Sequence, residues 1–108
     1  GLYPIVQMAD GDVLVDTDAV LGDGTKLRLF AVESSAYPDG VNYRFQYYDS
    51  DTGNSFLRFD NSQVPAHGAG HHHRHEWTDG EEQVTGIEFT DLESHLARFK
   101  TEVSEYDY

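Results

Sequence analysis

The sequence predicts an α+β fold: an antiparallel β-meander of about five or six strands with one C-terminal amphipathic helix packed on a face. Three observations lead to it. Apolar and polar residues alternate with a period of two through most of the chain as far as Asp60. Clusters of glycine, aspartate and asparagine recur between the alternating runs, at spacings that suit hairpins. From Leu92 the apolar residues change to a helical period, with Leu92, Leu96, Phe99, Val103 and Tyr106 forming one stripe.

Taken in order, Gly1 to Gln7 precede a Met8-Ala9-Asp10 that has the look of a start. Residues 1–8 are therefore expected to be an extraneous or flexible N-terminus, and residues 9–108 a single domain. In the first strand Val13, Val15 and Thr17 should point one way and Leu14, Asp16 and Asp18 the other. Leu21 to Thr25 holds two glycines and turns the chain into Lys26–Val32, its hairpin partner. Pro38-Asp39-Gly40 ends a second turn. Val41 to Tyr48 is the strongest strand, with Val41, Tyr43, Phe45 and Tyr47 on one face. Asp49 to Asn54 is a polar turn, and Ser55–Asp60 returns. Asn61 to Gly70 reads as a loop, His71–Trp77 as extended chain, and Thr78-Asp79-Gly80 as a turn into a strand over Glu82–Phe89. Thr90-Asp91-Leu92-Glu93 fits a capping box, with Thr90 and Glu93 satisfying the first free amides of the helix.

At 108 residues the chain supports one core, and with 38% hydrophobic and 13% aromatic residues it is a folded domain rather than an acidic tail. No apolar run approaches the roughly 20 residues of a membrane span, and no signal peptide is visible, which points to a cytoplasmic protein. Cysteine is absent, which excludes disulfides and thiolate metal sites. Twenty Asp and Glu face seven Lys and Arg, a net charge of −13. The carboxylates are scattered rather than blocked, which suits a halophile's hydrated surface better than a nucleic-acid mimic. In molar salt the Debye length falls to about 3 Å and self-repulsion fades.

Against this acidity, Arg58 to Trp77 collects five of the six histidines (His67, His71, His72, His73 and His75) with Arg58 and Arg74. The run is internal and interrupted by Arg74, unlike an expression tag. Imidazole is the side chain that exchanges protons near neutral pH, so two of them can serve as base and acid. Cleavage of RNA needs such a pair and a fixed cation for the phosphate. On this reading His71, His73 and His75 with Arg58 and Asp60 carry the chemistry without a metal. Arg74, Asn61, Trp77 and His67 contact substrate, and Tyr47 and Phe59 are further stacking candidates. On a strand, His71, His73 and His75 share one face while His72 and Arg74 share the other. The alternative is a non-enzymatic binding module. In it His71, His73 and His75 hold zinc or another divalent metal, completed by Asp60 or His67, or the segment docks a partner protein. His95, on the helix, lies outside either site.

Arg58-Phe59-Asp60-Asn61, a short loop, the His/Arg-rich run, an acidic turn and the amphipathic helix together resemble the TumE-like toxin components of prokaryotic toxin–antitoxin pairs. The resemblance covers roughly Asp12 to Tyr106, and the acidity suggests a haloarchaeal type. It implies the growth-inhibiting toxin of a type II pair, with RNA as candidate target and a helix-turn-helix antitoxin as partner; a homodimer is admitted. By motif match it assigns the site to Arg58, Asp60, Asn61, His71, His73 and His75.

Overall fold

The alternating runs fold as their period requires. In a computed structural model, which describes residues 11–22, 24–61 and 72–106, they form one six-stranded antiparallel sheet in the order β1-β2-β3-β4-β5-β6. The strands are β1 (Val13–Leu21), β2 (Thr25–Glu33), β3 (Val41–Asp49), β4 (Ser55–Asp60), β5 (His73–Thr78) and β6 (Glu81–Gly86), followed by helix α1 (Leu92–Ser104). The expected α+β meander is the fold. The expected N-terminal segment 1–8, and His67 and His71, lie outside the described residues.

Directly opposed residues of antiparallel strands share a face, so the register sorts every side chain. Leu29, Phe45 and Phe59 oppose one another across β2, β3 and β4, as do Leu27, Tyr47 and Leu57. These side chains are buried, and α1 lies over them with Phe99 and Val103. Phe99 meets Phe45 and Phe59 with ring centroids 5.7 and 5.0 Å apart, and Tyr106 packs at 5.1 Å on Tyr47. Covering one face of the sheet with one helix leaves the other face to the intervening residues: Arg28, Arg44, Arg58, Asp60, His73 and His75.

Turn chemistry fixes this register where it matters. Asp79 and Gly80 both take positive φ (54° and 81°), the signature of a two-residue hairpin turn whose twist matches that of the strands it joins. The turn sets Thr78 against Glu81 and Trp77 against Glu82.

Three local expectations change. A register shift between Val13 and Val15 places Val13 opposite Val32, while Val15 stays opposite Ala31 on the helix face. Val13 and Val15 therefore point to different sides, because a bulge adds a residue to one strand. β6 ends at Gly86 rather than Phe89: β5 begins at His73, so beyond the Ile87 N–H···O=C His72 bond (3.0 Å) the ladder has no further partner on β5. The helix cap is Asp91, one residue later than Thr90. Its carboxylate accepts from the Ser94 amide at 2.7 Å and the Ser94 hydroxyl at 3.2 Å, which suits a carboxylate at the positive end of the helix.

Candidate functional site

β4 and β5 build the site because their register sets Arg58 opposite His75 and Asp60 opposite His73 on the helix-free face. Asp60 is the hub. Its Oδ2 lies 2.8 Å from Arg58 Nε and 3.5 Å from His75 Nε2, and its Oδ1 lies 3.5 Å from His73 Nδ1. The other nitrogen of His75, Nδ1, meets the Glu82 carboxylate at 2.7 Å. Trp77 stacks beside His75, with centroids 5.9 Å apart and planes 16° from parallel, and Arg58 lies 5.5 Å over the same indole. Asp60, His73 and His75 are enclosed (3%, 1% and 0% exposed), whereas Arg58, Trp77 and Glu82 reach the surface.

The same face carries Lys26, Arg28, Arg44 and Arg58, four of the seven basic residues of a chain of charge −13. A cavity of about 390 Å³ opens there among Arg28, Phe30, Asn42, Arg44, Gln46 and Asp60. Arg28 lies 5.1 Å over Phe30 and is held by Asp16 at 2.6 Å. Two arginine–aromatic pairs, Arg28 with Phe30 and Arg58 with Trp77, thus stand at opposite ends of a surface centred on Arg44 and Asp60.

Other expected members go elsewhere. Arg74 faces the helix side, where its guanidinium binds Glu102 at 2.8 Å and Glu76 at 3.0 Å and ties β5 to α1. Asn61 is buried, and its amide continues the sheet: Oδ1 accepts from Tyr43 N at 3.1 Å and Nδ2 donates to the Val41 carbonyl at 2.5 Å. Both groups are therefore committed to β3 rather than presented to a ligand. Tyr47 and Phe59 are core residues. The structure brings Arg58, Asp60, His73, His75 and Trp77 together and separates them from Arg74 and Asn61.

Two further groups emerge that the sequence reading missed. Glu82 completes the environment of His75; the Asp79-Gly80 turn was the available signal, since a two-residue turn fixes the Trp77–Glu82 pairing. On the helix side, a chain runs inward from the exposed Asp39 Oδ2 to His72 Nε2 (2.8 Å), His72 Nδ1 to the Tyr43 hydroxyl (3.1 Å) and that hydroxyl to His95 Nε2 (2.7 Å). His72 Nε2–H donates to the Asp39 carboxylate, and the Tyr43 hydroxyl joins the two rings by donating to one ring nitrogen and accepting from the other. Burial pushes the Tyr43 hydroxyl up, reinforced by the charges of Asp60 and Asp39, so it stays protonated. Burial also pushes His95 down to about 4, helped by His72 and Arg98, so it stays neutral. His95 is thus a core residue joined to Tyr43.

A family model described as Toxin TumE matches residues 6–107, nearly the whole chain. The chain belongs to the TumE toxin family. No curated protein and no solved structure matches it. As a toxin family, TumE implies an antitoxin partner. In this TumE chain the Arg58–Asn61 motif does two separate jobs: Arg58 and Asp60 face the histidines, while Phe59 and Asn61 hold the core and β3. No helix among the described residues is long and apolar enough to cross a membrane.

Proposed function

We propose that this chain is the toxin of a type II pair and that it cleaves RNA, taken up on the helix-free face of the sheet. The observation that carries this reading is that Arg44 and Arg58 flank Asp60 beside His73 and His75. Arg28 lines the same cavity as Arg44 and Asp60, on a face whose cations offset its carboxylates in a protein of net charge −13. Phosphates are held by such cations, and bases stack on aromatic side chains such as Phe30 and Trp77 without regard to sequence. Breaking a phosphodiester needs a cation where charge develops and a group that activates the attacking oxygen. On this reading Arg58 serves the first task and the group behind it the second. Following the family resemblance, the neutralising partner is a helix-turn-helix protein.

Expression without antitoxin tests the proposal. Wild type and Arg74→Ala should arrest growth and degrade cellular RNA, whereas Arg58→Ala and Arg44→Ala, shown to be folded, should not. Arrest by both of the latter variants, at wild-type strength, would remove this face from the function. Arrest by wild type with intact RNA would keep the face and replace the substrate.

A further inference from the structure

We infer that Asp60, His73 and His75 hold one divalent transition-metal ion of the zinc class, with Glu82 and Arg58 as outer groups. The binding stands on geometry alone; it deepens the reading above by naming the cofactor, and it is measured without RNA. His73 Nδ1 and His75 Nε2 each lie 3.5 Å from an oxygen of the same carboxylate, and the three donors all fall within 4.8 Å of one another. A hydrogen bond between such atoms would span about 2.7–3.2 Å. Two donors bound tetrahedrally to one ion at about 2.0–2.2 Å stand about 3.4 Å apart. Each imidazole faces its own oxygen of Asp60, His73 the Oδ1 and His75 the Oδ2, at a separation longer than a hydrogen bond and compatible with ligands that share an ion.

The surroundings agree. Glu82 lies 2.7 Å from His75 Nδ1, far closer than Arg58 Nη2 at 3.4 Å, so the proton is assigned to Nδ1 and the Nε2 lone pair turns toward Asp60. A carboxylate on the far nitrogen is the usual support of a metal-bound histidine. Two imidazoles and a carboxylate select zinc, iron or manganese over calcium and magnesium, which prefer oxygen. Proton exchange with a substrate would require exposed rings, yet both are enclosed; on this assignment they are ligands rather than base and acid. Arg58 shares Asp60 Oδ2 at 2.8 Å, so it competes with the ion for that oxygen.

The test is a titration of the chelator-stripped, full-length protein with Co²⁺, read by its visible absorption, followed by displacement with Zn²⁺. One ion per chain should bind and raise the melting temperature. Asp60→Asn and His73→Gln should abolish the signal, Glu82→Gln should weaken binding about 10- to 100-fold, and Arg58→Ala should bind at least as tightly as wild type. These variants keep His67, His71 and His72, so adventitious binding by the histidine-rich run would survive in them. No saturable binding to wild type, or binding unchanged in Asp60→Asn, overturns the assignment. Should Asp60→Asn fail to fold, half-exposed Glu82 decides: undiminished binding in Glu82→Gln overturns it equally.

Discussion

His72 and His73 are adjacent in the chain and sit on opposite sides of the sheet, and their environments differ accordingly. His72 stacks on Phe89 at 4.6 Å and bonds Asp39 and Tyr43 in the helix-side core, whereas His73 faces Asp60 on the other side. Asn61 marks the same boundary, since its buried amide replaces the next rung of the ladder. Asn61→Ala should strand the Tyr43 N–H and the Val41 carbonyl at about 1–3 kcal/mol each, measurable by denaturant unfolding. His95 has a different signature. Its folded value near 4 lies below the ordinary 6.5, so between those pH values the unfolded chain takes up a proton that the folded chain refuses. The contribution is therefore whole above about pH 6.5 and lost as the pH falls toward 4. Thermal melts across that window should show stability declining with acid, and His95→Gln should flatten the decline.

At the scale of elements, α1 is held by Phe99, which touches Phe45 and Phe59, and by Arg74 reaching across to Glu102. Phe99→Ala should cost about 3–5 kcal/mol by transfer and cavity terms, read from the shift in denaturation midpoint. The strands were legible because Tyr43-Arg44-Phe45-Gln46-Tyr47 and Leu57-Arg58-Phe59-Asp60 alternate strictly, and the helix because Leu92, Leu96, Phe99 and Val103 keep its period. The N-cap was misplaced by one residue because Thr90 and Asp91 are both good caps, and only backbone geometry selects between them. The bulge at Leu14 left no mark, since Val13 and Val15 fit either face. His95 was not seen as core because a polar side chain in an apolar stripe reads as exposed until its partner, Tyr43, is found across 52 positions of sequence.

At the scale of the whole molecule, the helix-free face carries Lys26, Arg28, Arg44 and Arg58 with Asp16, Asp18, Asp60 and Glu82, a near balance of charge in a chain of net charge −13. Spread acidity at −13 should make the fold weak in dilute buffer. Its melting temperature is expected to rise between about 0.1 M and 2 M KCl as repulsion is screened, and an unchanged value would contradict the halophilic reading. The histidine cluster was legible as a candidate by composition, and Asp60 by its motif. Which side chains stand together was not, because only the register of β4 with β5 separates Arg74 from Arg58, and only the turn at Asp79-Gly80 brings in Glu82. Incubating the purified, metal-replete protein with total RNA would show whether this face cuts RNA, as proposed. Wild type should fragment the RNA, Arg74→Ala should stay within a few-fold of it, and Arg58→Ala should fall about 10²- to 10³-fold, the loss expected for one charge-stabilising group. RNA left intact by wild type, or cut as fast by Arg58→Ala, would contradict the account.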